Sequence, residues 1–363
     1  MNDIGVATRD ISSLDESIAR AARALRSCQR DDGHFIFELE ADATIPAEYV
    51  LLVHYLGEKP DLELERKIGN YLRRVQASQG GWPLYHGGAF DISATVKAYF
   101  ALKMIGDPVD SPHMKRARDA ILAEGGAVRC NVFTRILLAL YGEVSWAAIP
   151  TIPVEIILLP RSFPVHLSKM SYWARTVLVP LLVLTALRPV ARNPRGVRLR
   201  ELFVSYIAPP PSRAPHQDRY WAALFHVIDT TLKRIGPFWP KALRKRAIAR
   251  CVEFVTERLN GEDGLGAIYP AMANSVMMYD ALGYAPDHPH RAIARISIDK
   301  LLVIRDDEAY CQPCVSPVWD TALAAHALME AAGHAMDDRV ASLCEWLKGR
   351  QVLNVKGDWS DAR

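Results

Sequence analysis

No apolar run in the chain reaches the roughly 20 residues that a bilayer-spanning helix needs. The longest, TVLVPLLVLTAL at 176–187, falls short. The first residues, MNDIGVATRDISSLDESIAR, lack a basic stretch followed by an apolar one, so no secretory signal is read there. Cysteine is sparse, six in 363 residues and mostly scattered, which excludes a disulfide scaffold and makes a reducing cytoplasm the expectation. The single Cys-x-x-Cys, CQPC at 311–314, supplies only half of a structural zinc ligand set and has no second pair, so no metal is expected. A net charge of +3 is too small to argue for nucleic acid. Period-two alternation is missing as well, so no sheet is expected.

What is present is apolar and helical. Half the residues are hydrophobic and 23% charged, enough for a large core in roughly two domains. AEYVLLVHYLG (47–57), DISATVKAYFALKMIG (91–106), VFTRILLALYG (132–142), MANSVMMYDALG (272–283) and VWDTALAAHALMEAAG (318–333) share one design. Each is apolar on all sides, which calls for burial on both faces, and each ends in a glycine suited to a left-handed cap. Amphipathic helices separate them, at 62–75, 114–122, 247–259 and 340–349. Alternating buried and amphipathic helices describe stacked helix hairpins. The fold class read from this is all-α, a ring or solenoid of helix pairs.

The turns repeat too. CQRDDGHF (28–35) and VQASQGGW (75–82) both read Gln-x-x-x-Gly-x-aromatic, QVLNVKGDW (351–359) is a stretched copy, and LNGEDGLG (259–266) is a worn one. The glutamine can bond exposed backbone at a helix end, the glycine makes the turn, and the aromatic packs under the next helix.

Charge is concentrated in one region. From Arg188 to Arg250 there are fourteen Lys/Arg against Glu201, Asp218 and Asp229. This is either a solvated face or a surface attracted to anionic lipid. The proline- and arginine-rich 187–217 reads as a long surface loop. The following helix, 219–235, carries Trp221, Leu224, Phe225, Ile228, Leu232 and Ile235 at helical spacing. That stripe faces either the core or a membrane interface.

These turns, with AEYVLL, FTR, SYWAR and above all SPVWDTALAAHAL (316–328), resemble the squalene–hopene cyclases, the bacterial triterpene cyclases, over about Arg23 to Trp359. The resemblance covers the N-terminal half of a family member. It implies an α/α toroid, a helix-hairpin barrel, with part of a second α/α barrel. Residues 37–300 would be the inserted barrel, with a membrane-facing segment near 188–246, and 1–36 and 301–363 pieces of the catalytic one. It further implies a polyprene substrate of the squalene type, no metal, no cofactor, and monotopic contact with the cytoplasmic side of a membrane. Family members start the reaction with an Asp-x-Asp-Asp acid and stabilise the migrating cation on aromatic faces in a dry cavity.

No Asp-x-Asp-Asp occurs here; the adjacent pairs are Asp31/Asp32, Asp306/Asp307 and Asp337/Asp338. The expectation is therefore a chain that stops before its acid and is inactive alone. The alternative is a membrane-surface module, or a subunit pairing with a separately encoded catalytic half or with its own copies. A protein prenyltransferase subunit is disfavoured because no Asp-x-Cys is present. By motif match, Trp173, Trp319, Ile268, Tyr269 and Pro270 are implied to line the substrate cavity, and Met170 and Leu178 its entrance channel. Glu48, Asp320 and Arg135 are implied as a supporting polar network. Segment 301–363, lacking neighbours for its apolar faces, is expected to be weakly protected.

Overall fold

The structure is a computed structural model and describes residues 11–164, 166–204, 219–333, 337–353 and 357. The chain groups into two compact units: Leu39–Cys314, and a smaller one that joins the residues up to Glu38 to those from Val315 onward. Helix α1 (Ile11–Ser27) precedes the larger unit. That unit contains α2 (Thr44–Leu56), α3 (Leu62–Arg74), α4 (Ile92–Ile105), α5 (Pro112–Ala123) and α6 (Val132–Leu140). It continues with α7 (Tyr172–Leu187), α8 (Arg219–Ile235), α9 (Lys241–Thr256), α10 (Tyr269–Ala281) and α11 (Pro289–Asp299). A short antiparallel hairpin, β1 (Leu302–Ile304) with β2 (Ala309–Cys311), closes it. The smaller unit adds α12 (Pro317–Ala331) and α13 (Asp338–Lys348).

Within the larger unit the helices form two layers. Helices α2, α4 and α10 bury residues on every face, as their uninterrupted apolar sequences require. Helix α2 packs on α4, and α10 packs on both α7 and α2. Helices α3, α5, α9 and α11 bury a single stripe, such as Met114, Ala117 and Ile121 on α5. Each lies against the inner layer: α3 on α2 and α4, α5 on α4, α9 on α7, α11 on α10. This is the helix-pair architecture of an α/α toroid. The hairpin was not legible in the sequence, because strands of three residues leave no periodicity to read.

The helix boundaries follow from local chemistry. Asp61, Asp91 and Asn131 accept hydrogen bonds from the first free N–H groups of α3, α4 and α6. Gly57 ends α2 in the left-handed region with φ 64°, and its N–H bonds back to His54 O. The repeated turns also work as read. Gln76 Nε2 donates to Gly80 O at 2.7 Å and to His113 O at 2.9 Å, tying one helix pair to the next. A Cβ on Gly80 would stand 2.8 Å from Arg116 O, so glycine is required there. Trp82 is buried beneath, its indole N–H on Leu72 O.

In the smaller unit Gln29 Nε2 donates to Gly33 O and Arg339 O, both at 3.0 Å. Phe35 packs there with Ala324, Leu328, Val340 and Leu343. Trp359, the aromatic of the third copy, lies outside the described residues.

The basic region divides. Residues 188–204 form a strap over the C-terminal ends of the inner helices, whereas 205–217 of the expected loop lie outside the described residues. Ala191 N–H bonds Leu140 O, Arg192 N–H bonds Tyr55 O and Asn193 N–H bonds His54 O. Arg195 donates to Met104 O and Arg198 to Gly142 O. The carbonyls of Tyr55, Met104 and Leu140 are among those that helix geometry leaves unpaired. The same arginines reach buried carboxylates: Arg192 on Asp280, Arg195 on Glu65, Arg198 on Glu143.

The core-facing reading of 219–235 does not hold. On α8, Trp221, Leu224, Phe225, Ile228 and Ile235 are all exposed, and Phe238 just beyond it is 85% exposed. No helix among the described residues is long and apolar enough to cross a membrane.

Candidate functional site

The inner helices of the larger unit enclose a cavity of about 330 Å³, within the range typical of ligand pockets. Its wall is mainly apolar, with Leu51, Leu52, Ile136, Leu181 and Met277 drawn from α2, α6, α7 and α10. On α2 and α10 these side chains belong to helices buried on every face.

Three of the expected residues, Ile268, Tyr269 and Pro270, form part of this wall at the start of α10. The loop that carries them is pinned from outside: Tyr269 N–H donates to Pro313 O at 2.8 Å, and Ile268 bridges to Cys314. The CQPC segment therefore acts as a buttress. Gln312 accepts the Leu39 N–H at 2.7 Å. Burial raises the Cys311 thiol pKa, leaving it unreactive. Among the described residues no group of three or more His, Cys, Asp or Glu is arranged to hold a metal.

The Tyr269 hydroxyl is buried with no hydrogen-bond partner. Burial, then the nearby Glu48 charge, raise its pKa well above the ordinary phenol value. It thus remains a neutral O–H beside the cavity.

The polar floor is one ion pair. Glu48 on α2 and Lys97 on α4 meet at 2.5 Å, and both line the cavity. Their pairing offsets much of the cost of holding charge against an apolar chamber. Lys97 was missed in the sequence. The signal was a lone cation in the middle of an otherwise apolar helix, where a partner is required. Asn131 and Asn274 also border the cavity without having been singled out; Asn274 donates to Val177 O at 3.3 Å.

Trp173 stands in the wall near the start of α7 and is 62% exposed, so its ring is at the rim rather than enclosed. Met170 precedes that helix and is exposed; Leu178 is half-buried on it, and neither borders the cavity. Arg135 on α6 is buried and donates to Ala148 O at 3.2 Å; among the described residues it meets no carboxylate, and its Nε is unpartnered. Burial, which disfavours the charged guanidinium, lowers its pKa. In the smaller unit Asp320 accepts the Phe37 N–H at 2.8 Å, a backbone-capping role, and Trp319 beside it is exposed on α12.

The arrangement suits a hydrocarbon: an apolar chamber, an electrically balanced floor, one un-ionised hydroxyl and an aromatic rim. Two family models match the chain, the squalene–hopene cyclase N-terminal domain over residues 18–307 and the C-terminal domain over 315–363. A squalene–hopene cyclase of Zymomonas mobilis is 61% identical over 94% of this chain and 53% of its own length. One of Bradyrhizobium diazoefficiens is 59% identical over 96% of this chain and 53% of its own. One of Alicyclobacillus acidocaldarius is 34% identical over 96% and 54%. The chain spans about half the length of these curated relatives. By the family models along nearly all of its residues, it belongs to the squalene–hopene cyclase family.

Proposed function

We propose that these residues form the polyprene-receiving part of a squalene–hopene cyclase. Squalene is the substrate that the relatives' names indicate, and hopene the product of the whole enzyme. The observation that carries the reading is the apolar cavity with its Glu48–Lys97 floor and the Ile268–Pro270 loop. Burying isoprenoid surface contributes about 25 cal/mol per Å². The exposed face of the Trp173 indole suits contact with developing positive charge. In this reading 37–300 serve as the inserted barrel, and 1–36 with 301–363 contribute to the catalytic one.

The sequence contains no Asp-x-Asp-Asp, and Glu48, the carboxylate on the cavity wall, is engaged by Lys97. The initiating acid is accordingly assigned outside these residues, and cyclisation requires them together with the segment that supplies it. The exposed apolar face of α8 favours a companion reading: the protein sits on the cytoplasmic membrane surface and takes its substrate from the bilayer.

The test is equilibrium binding of squalene in detergent micelles to residues 1–363, with extraction and gas chromatography of the hydrocarbon. Saturable binding is expected, with squalene recovered unchanged. Ala273→Phe, which fills the cavity, should abolish binding at a stability cost of about 1–3 kcal/mol. Binding indifferent to that substitution, or cyclised product from these residues alone, would sink the reading.

A further inference from the structure

A groove of about 830 Å³ lies between the 144–155 segment, the start of the strap and the end of α8. Among the described side chains of α8 none is buried, so no core residue of its own seats the helix. Two polar contacts reach across to the 144–155 segment instead. Asp229 Oδ1 accepts the Thr151 N–H at 2.7 Å, and Lys233 Nζ donates to Ala147 O at 2.9 Å. The two side chains also pair with each other at 2.8 Å, one helical turn apart. Burial raises the Asp229 pKa, but the Lys233 and Thr151 hydrogen bonds outweigh it and hold the carboxyl below its ordinary range. The pair is therefore charged at neutral pH.

These contacts decide which way the helix faces. At about 3.6 residues per turn, Asp229 and Lys233 share one side of α8, and the stripe of Trp221, Leu224, Phe225, Ile228 and Ile235 centres roughly a third of a turn from them. Leu232, at the edge of that stripe, is half-buried in the groove wall. A roll of that size would carry the stripe toward the groove and its apolar residues Val144, Ile152 and Val154. Both contacts oppose the roll, because each ends on a backbone atom of the 144–155 segment.

We infer that Asp229 and Lys233 form a latch that fixes the roll of α8 and presents its apolar stripe outward before a membrane is met. The inference rests on the membrane reading of α8 and adds the residues that orient the helix for it. They are positioning residues, acting through the direction of the stripe rather than by touching lipid.

The experiment is ¹⁹F NMR of residues 1–363 labelled with 5-fluorotryptophan, the Trp221 resonance being assigned by its loss in Trp221→Phe. Without lipid, the shift of that resonance between H₂O and D₂O reads how open the ring is to solvent. With phosphatidylglycerol–phosphatidylcholine vesicles carrying a spin-labelled acyl chain, its relaxation reads insertion at equal bound fraction. Asp229→Ala, checked for fold by circular dichroism, should lower both signals by about half and weaken vesicle binding about fivefold. Lys233→Gln, a change at an exposed residue, should act in the same direction. Lys233→Arg, which keeps a donor for Ala147 O, should restore the original values. Trp221 signals unchanged in Asp229→Ala and Lys233→Gln overturn the inference, as does a loss in Lys233→Arg equal to that in Lys233→Gln. Failure of the unsubstituted protein to bind any vesicle would instead refute the membrane reading. The lipid-free shift then judges the latch alone: lowered in Asp229→Ala it supports the latch, and unchanged it refutes it.

Discussion

In the strap, residues 188–204, three arginines turn down onto helix-end carbonyls and onto carboxylates with little exposure of their own. In 219–246 the arrangement is reversed: apolar side chains of α8 point outward, and Lys241, Lys245 and Arg246 on α9 remain exposed. Both stretches belong to the same basic region of the sequence, and their cations are exposed in both, yet in one they are tied to carboxylates that the fold has buried and in the other they accompany an exposed apolar face. The difference lies in what each cation finds nearby. The strap crosses the C-terminal ends of α2, α4 and α6, where unpaired carbonyls and the negative end of the helix dipole attract positive charge. Charge density along a sequence therefore does not by itself report what each cation is paired with.

Breaking the strap should cost the most. Glu65 accepts from both His54 Nε2 at 2.6 Å and Arg195 at 2.8 Å, and His54 is fully buried. Glu65→Leu leaves both without a carboxylate and should lower stability by about 3–5 kcal/mol in urea denaturation.

Glu201, also in the strap, holds Lys103 at 2.5 Å and the Tyr99 hydroxyl at 2.9 Å. Burial raises its pKa, but the Lys103 and Tyr99 hydrogen bonds outweigh this and hold it below the ordinary glutamate value. The stabilisation is therefore complete above the unfolded-state pKa near 4.3 and is lost as pH falls from there through the lower folded value. Glu201→Gln should cost about 1.5–3 kcal/mol at neutral pH and flatten that acid limb.

On the other side of the comparison, stability should hardly move and vesicle binding should. Trp221→Ser and Phe225→Ser should each weaken binding by about 1.5 kcal/mol, some tenfold, while leaving stability within about 0.5 kcal/mol. Lys245→Gln and Arg246→Gln should each remove about 1 kcal/mol of binding to anionic vesicles at low salt. That smaller effect should vanish at high ionic strength.

Much of this was legible beforehand. The glycines ending α2 and α4 and the glutamines at 29 and 76 do what local chemistry demands of them. The all-round apolar helices are buried as their composition requires. Ile268, Tyr269 and Pro270 were named through a motif, and the cavity they border appeared only when α2, α4 and α10 were packed together. Lys97 was hidden because its meaning depends on Glu48, 49 positions away in the chain and opposite it in space. The strap was unreadable for the same reason: Arg195 means nothing until Glu65 and the Met104 carbonyl lie beneath it. Periodicity reports which face of one helix is apolar, but not whether another element covers it, so the stripe on α8 stayed ambiguous.

The most direct test of the contrast is amide hydrogen exchange of residues 1–363 with and without phospholipid vesicles. The account predicts that vesicles slow exchange across Arg219–Ile235 and the adjoining Gly236–Phe238 turn, leaving 188–204 unchanged. Slowing confined to 188–204, with α8 indifferent to lipid, would contradict it.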